Sequence, residues 1–334
     1  MLSILIALVI FLLVVLFHEG GHFFSAKLCG IKVNEFSIGM GPAFWQKEEK
    51  DTLYSIRVIP LGGYCAMEGE DEHSSSPDSF DQASVGKRFL TIFAGPLMNI
   101  FVAIVFFIIY MLMVGRPIPV VSSFAEQSPV EAVGMEKGDE IIAINYVDLE
   151  DFDQLKKTVQ ENEDKEMVLS VLKKTGKREE YVVRPIKDMG QYYLGFQPES
   201  KIDILYSVKA GFIMTFQIFF SLIQFLGQLF RGGIDFQAVS GPIGVIQTIG
   251  EAYKLGFSKL VFYAGYISVN LAFFNLLPIP ALDGSKLLLL ILEKIRGKAL
   301  DKSLETKITL VGFIFLLALI FIVSIKDVMK LIGG

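Results

Sequence analysis

The chain has 334 residues, of which 52% are hydrophobic and 20% charged, and its mean hydropathy is +0.51. That is too apolar for an ordinary soluble enzyme and puts the protein in a membrane class. A net charge of −5 excludes a broad basic surface for nucleic acid, and two cysteines, Cys29 and Cys65, are too few for a disulfide framework and read as free thiols.

Taken in chain order, the first apolar stretch runs over residues 2–17 and continues to 28, long enough to cross a bilayer. It has no basic start and no small-residue cleavage site before His18-Glu19, so it is expected to stay as a span and not to be removed as a signal peptide. Residues 29–88 form a polar region with strand-like runs such as Tyr54-Ser55-Ile56-Arg57-Val58-Ile59 and then a Ser/Asp-rich segment expected to be a flexible surface loop. A second span is expected over 89–114. Residues 118–200 read as an independent α+β domain, with strands at 140–145, 167–173 and 180–185, a helix at 152–161, and a hairpin turn at Lys174-Thr175-Gly176-Lys177. Further apolar blocks follow at 210–230, 260–282 and 308–325.

Basic residues give an orientation. Lys27, Lys32, Lys47, Lys50, Arg57, Lys87 and Arg88 crowd the first polar region, whereas Arg116 stands alone after the second span. The positive-inside rule puts the first region in the cytoplasm and residues 118–200 outside.

The sharpest chemical signal is His18-Glu19-Gly20-Gly21-His22. Positions i and i+4 share a helix face, so two imidazoles can grip one metal ion while the intervening glutamate serves as base. Ionisable groups inside a span are costly and usually functional. At about 1.5 Å per residue, His18 lies roughly 24 Å along a helix starting at Leu2, still within the hydrocarbon core and toward its cytoplasmic face.

A catalytic zinc wants a third protein ligand and one open position. His73 is the one other histidine, but its neighbours Glu70, Asp71, Glu72 and three serines describe a solvated loop. Asp283 is the better candidate, at the end of an uncharged run in which Pro278 and Pro280 break the helix and let irregular backbone approach a metal or a substrate strand. A metal-ion or proton transporter built on His18, Glu19, His22 and Asp283 would need polar groups along several spans, and 89–114 and 308–325 have almost none. A silent adaptor displaying a peptide-binding module would have no chemical need for Glu19.

The chain resembles the site-2 protease family of intramembrane metalloproteases, in its bacterial form. The resemblance is carried by His18-Glu19-Gly20-Gly21-His22-Phe23, Pro60-Leu61-Gly62-Gly63-Tyr64, Ala94-Gly95-Pro96-Leu97-Met98-Asn99, Ser240-Gly241-Pro242-Ile243-Gly244 and the run from Asn275 through Asp283-Gly284. Residues 128–145 are similar to a bacterial PDZ signature, with Asn145-Tyr146 in place of the usual Asn-Gly turn. This chain departs from the family in carrying Ser285 where a second glycine is common, and Gly20 where a bulkier residue is usual.

The resemblance implies one Zn2+ held by His18, His22 and Asp283, Glu19 as catalytic base, Asn275 on the substrate backbone and Pro280 beside it, and a strand around 54–67 that dips into the membrane to pair with unwound substrate. It implies single-span membrane proteins as substrates, such as an anti-sigma factor or a signal-peptide remnant, cut after a prior ectodomain cleavage in a bacterial cytoplasmic membrane.

The expected fold is therefore an α-helical polytopic membrane protein of about four transmembrane helices with an inserted PDZ-like α+β domain and a small membrane-associated β element. Its expected parts are 1–117 with the first two spans, 118–200 as the extracytoplasmic domain, 201–257 as an amphipathic helix and linker, and 258–334 with the last two spans. Residues 210–230 are read as a membrane-surface or bundle-flanking helix. Gln217, Ser221, Gln224, Gln228 and Arg231 form a polar stripe on it, and a further crossing would leave Asp283 at the wrong face from His18 and His22.

Overall fold

The computed structural model describes residues 2–70, 72–188, 190–232, 241–299 and 301–333. It divides into two compact units, residues 1–110 with 208–334, and residues 111–207.

The first unit opens with helix α1, Leu2–Cys29. Two glycines inside a helix weaken it, and here Gly21 has a packing reason: a Cβ at this position would lie 2.3 Å from the Ala94 carbonyl oxygen. The hairpin of β1 (Val33–Glu49) and β2 (Thr52–Met67) follows. It turns on Lys50 and Asp51, both at positive φ. The two strands are long and irregular, and Phe36 and Ser37 are partnered on both sides, by Cys65 and Tyr64 and by Tyr54 and Ser55. Residues 63–67 thus form an outer edge of this small sheet.

The segment after β2, expected to be a flexible loop, is fastened at several points. Phe80 is buried, the Lys302 ammonium donates to the carbonyls of Gly69 (2.9 Å) and Glu72 (2.8 Å), and Lys286 pairs with Glu70 at 2.7 Å. Cys29 and Cys65 are both buried free thiols. Helix α2, Val85–Val114, contains Pro96.

The second unit begins with β3, Arg116–Phe124, continues through the short α3, Pro129–Ala132, and runs through β4 (Glu140–Ile144), β5 (Val147–Asp148), α4 (Phe152–Asn162), β6 (Met167–Leu172), β7 (Arg178–Val183), β8 (Ile186–Asp188), β9 (Gln191–Tyr193) and β10 (Phe196–Lys201). The main sheet has the order β10-β3-β4-β6-β7. Met167, Leu169 and Val171 alternate inward along β6 and meet Ile141 and Ile144 of β4 and Phe152, Leu155 and Val159 of α4. The Asp151 carboxylate caps α4 by accepting from the Gln154 amide at 2.8 Å.

Strand β3 is not among the strands expected from sequence, and it carries Pro117 and Pro119, which are disfavoured in an interior strand. Its proline-bearing half pairs on one side only, with β10, while β4 meets it at Val120. The missing donors are therefore not needed.

Asn145 and Tyr146 both take positive φ, 48° and 65°, to close the β4–β5 hairpin. A left-handed tyrosine costs about 1 kcal/mol. Tyr146→Gly is expected to raise amide-exchange protection of β4 and β6 roughly threefold to fivefold in the full-length protein, a gain reduced by glycine's greater unfolded-state freedom. Unchanged or lowered protection would show that the turn is not strained.

The chain returns to the first unit through α5, Ile204–Phe230, then α6 (Pro242–Leu255), α7 (Phe257–Leu276), α8 (Asp283–Arg296) and α9 (Lys302–Gly333). Ser240 of the Ser-Gly-Pro motif lies outside the described residues. Gly241, at the start of α6, offers no side-chain cap, and Asp327 of α9 takes that role by accepting from the Gly244 amide at 2.9 Å.

Among the described residues five helices are long and apolar enough to cross a membrane: α1, α2, α5, α7 and α9. The protein is a multi-pass membrane protein with a β-containing unit. Helix α5 lies against α2 and α7, with Gly211 on Ile104 and Ile108 and Phe219 edge-on to Phe273 at 5.5 Å. Gln217, Ser221 and Gln224 remain exposed along it.

The expected span 260–282 is shorter in the structure. Helix α7 stops at Leu276 and Leu277 is extended (φ −68°, ψ 142°), as required of a residue that precedes proline.

Candidate metal centre

Helix α1 carries His18 and His22 one turn apart, both 6% exposed. The break after α7 lets the chain double back so that Asp283 begins α8. The fold-back is tight: a Cβ on Gly284 would lie 2.2 Å from the Leu277 carbonyl oxygen. The result brings three ligand atoms together. His18 Nε2 is 3.1 Å and His22 Nε2 3.4 Å from Asp283 Oδ2, and the two Nε2 atoms are 3.3 Å apart. Ligands about 2.0–2.1 Å from a tetrahedral zinc stand about 3.3 Å from one another, so the triangle has the edge length of one face of such a site.

The chemistry of the donors agrees. Asp283 Oδ2 is buried and has no hydrogen-bond donor, an arrangement that costs free energy unless a cation completes it. His22 Nδ1 lies 2.9 Å from the Thr91 carbonyl. A carbonyl can only accept, so the proton sits on Nδ1 and the Nε2 lone pair is left for a metal. His18, His22 and Asp283 are the one group of at least three such side chains able to hold a metal ion among the described residues.

Helix α2 forms the third wall. Thr91, Gly95 and Asn99 are spaced by four and face the histidines. Pro96 lacks an amide donor and its ring crowds the preceding turn, and beside this irregularity the Thr91 carbonyl is turned to His22. A Cβ on Gly95 would lie 2.3 Å from His22 Nε2 and 3.0 Å from His18 Cε1. The Asn99 amide nitrogen is 3.3 Å from His18 Nδ1.

Sequence reasoning missed the Thr91 carbonyl and gave Gly95 and Asn99 no individual role. The row at i, i+4 and i+8 on an apolar helix was the available signal.

The other candidate residues are placed as follows. Glu19 follows His18 on α1 and stands beside β2, where a Cβ on Gly63 would be 3.9 Å from its Cγ. The Asn275 amide nitrogen is 3.4 Å from His18 Nε2, at the rim of the triangle. Pro280 packs against Gly312 of α9. His73 is exposed and pairs with Asp81 at 2.6 Å.

Fold and geometry together describe a candidate metal centre, two helix-borne histidines and one aspartate whose ligand atoms are close enough to share one ion. The sequence profile of Peptidase family M50 matches residues 6–319, and the chain belongs to that family, the site-2 proteases. A Clostridium acetobutylicum protein described as a zinc metalloprotease is 35% identical over 330 residues, covering 98% of this chain and 97% of the relative. A Fusobacterium nucleatum protein of the same description is 31% identical over 339 residues, 99% of each. The zinc metalloprotease RasP of Geobacillus kaustophilus is 28% identical over 414 residues, 98% of each. The chain is a zinc metalloprotease of this family, and zinc is its cofactor.

Proposed function

We propose that the protein is an intramembrane endopeptidase that holds one zinc ion on His18, His22 and Asp283 and uses Glu19 as its base to cut peptide bonds in single-span membrane proteins. The observation that carries this reading is the triangle of buried ligand atoms at 3.1–3.4 Å within an apolar bundle. Zinc, when bound, supplies a Lewis acid that polarises the scissile carbonyl.

Glu19 takes a proton from the attacking water and delivers it to the leaving amine nitrogen. The Asn275 amide donates to the substrate carbonyl and steadies charge developing there. A substrate helix hides its carbonyls in internal hydrogen bonds and must unwind first. The outer edge of residues 63–67, beside Glu19, offers unpaired backbone groups to the extended segment. Pro278 and Pro280 keep the backbone before Asp283 irregular and approachable.

Four helices, α1, α2, α7 and α9, cross the bilayer in this reading, and α5 flanks them with its exposed glutamines toward headgroups. The basic residues of 27–88 lie in the cytoplasm of a bacterial cell, with the metal toward that side and the 111–207 unit outside. That unit acts as a PDZ-like filter that delays cleavage until a substrate's outer domain has been removed, which makes the activity regulated intramembrane proteolysis. Anti-sigma factors and signal-peptide remnants have the required single span.

The test compares detergent-purified wild type with Asp283→Ala for zinc content and for cleavage of a single-span substrate. Wild type is expected to carry about one zinc and to cut, while Asp283→Ala, with a ligand missing, is expected to hold well under about a tenth of that zinc after dialysis and not to cut. Full zinc retention in Asp283→Ala would remove this residue from the ligand set. Bound metal with no cutting of any single-span or unfolded peptide by wild type would favour transport.

A further inference from the structure

We propose that Asn99 is a positioning residue for the metal centre: its side-chain carbonyl accepts the Nδ1 proton of His18 and so fixes the imidazole that presents Nε2 to zinc. The inference rests on the ligand set proposed above. If His18 Nε2 is to bind a cation, its lone pair must be free and the ring proton must sit on Nδ1. A buried Nδ1–H then needs an acceptor, and the polar group in reach is the Asn99 amide, 3.3 Å away.

Asn99 is fully buried, and its Oδ1 has no partner with the amide nitrogen turned to the histidine. That orientation makes Nδ1 the acceptor, puts the proton on Nε2 and aims it into the ligand triangle. The opposite orientation has the same shape, because the two ends of a primary amide differ little in size. It alone is compatible with metal on Nε2.

Asn99 is also held in place for this task. The Ser268 hydroxyl on α7 donates to its backbone carbonyl at 2.9 Å, tying this turn of α2 to the helix that leads to Asp283. With the Thr91 carbonyl on His22, α2 gives each ligand histidine its own acceptor, two turns apart. Such outer partners fix ring orientation and raise ligand basicity.

The test uses the full chain in detergent, with wild type, Asn99→Leu, Asn99→Asp and His18→Ala compared for zinc affinity by chelator competition and for the visible spectrum of the cobalt-substituted protein. Leucine keeps the volume and removes the acceptor, whereas aspartate keeps an acceptor. Asn99→Leu is expected to bind zinc roughly 10–100-fold more weakly and to show an altered cobalt band, while Asn99→Asp binds within about threefold of wild type or more tightly. Elution and melting of the zinc-free forms check that each variant is folded.

Zinc affinity of Asn99→Leu equal to wild type would overturn the inference. So would an Asn99→Asp protein as impaired as Asn99→Leu, since shape and not the acceptor would then matter. Retention of wild-type affinity by His18→Ala would overturn the underlying ligand set itself, a result distinguishable from either of these.

Discussion

Glu19→Gln protein is expected to keep about one zinc per chain while cutting a single-span substrate about 10³-fold more slowly, the loss that removal of a general base produces. Glutamine matches glutamate in length and shape and keeps hydrogen-bonding capacity, but it cannot take up a proton at neutral pH. The substitution leaves His18, His22 and Asp283 untouched, so metal content and catalysis should separate. Metal analysis and a cleavage time course on the same preparation check both halves. A zinc-replete Glu19→Gln protein that cuts at the wild-type rate would remove Glu19 from the chemistry. Loss of zinc together with activity would instead make it part of the metal-holding structure.

Gly95→Ala is expected to lower zinc affinity at least about 100-fold, because one methyl group collides with the His22 ring and must push its Nε2 out of the candidate ligand triangle. The added carbon would stand 2.3 Å from His22 Nε2 and 2.5 Å from its Cε1, far inside the roughly 3.5 Å contact distance of non-bonded heavy atoms. Relief requires α1 and α2 to separate, yet Gly21 already lets these helices meet with no space for a side chain, its absent Cβ falling 2.3 Å from the Ala94 carbonyl oxygen.

Helix propensity alone predicts the opposite sign, since alanine favours a helix over glycine by about 1 kcal/mol. Isothermal titration of zinc into the apo protein distinguishes the two. Unimpaired binding would show that the crossing of α1 and α2 can loosen without cost to the site.

Much of the architecture could be read from the chain because the relevant signals are local. His18 and His22 fall at a spacing that only a helix turns into a pair, and Asp283 is marked by the prolines that precede it. The strands β4, β6 and β7 and the helix α4 are legible in their apolar runs and in the Lys174–Lys177 turn, whereas the Asp151 cap of α4 is seen only in the structure.

What could not be read depends on partners distant in sequence. Strand β3 hides behind Pro117 and Pro119, whose tolerance is evident only once β10 is seen to be the neighbour of that half. The Thr91 carbonyl has no sequence signature, since every residue has one and only the crossing of α1 and α2 selects it. Residues 68–84 look mobile by composition, yet Lys286 and Lys302, from elements more than two hundred positions later, hold the loop down. The ends of α7 and α8 were blurred for a different reason, because hydropathy continues through Leu282 although the backbone leaves the helix at Leu277.

The proposed ligands come from the first helix and the eighth. During synthesis His18, Glu19 and His22 emerge and enter the bilayer early, while Asp283 follows only after the whole 111–207 unit and α5 to α7 have been made. A nascent chain therefore carries His18, Glu19 and His22 well before Asp283 exists, so the three-point site of the proposed kind can close only once α8 has been made.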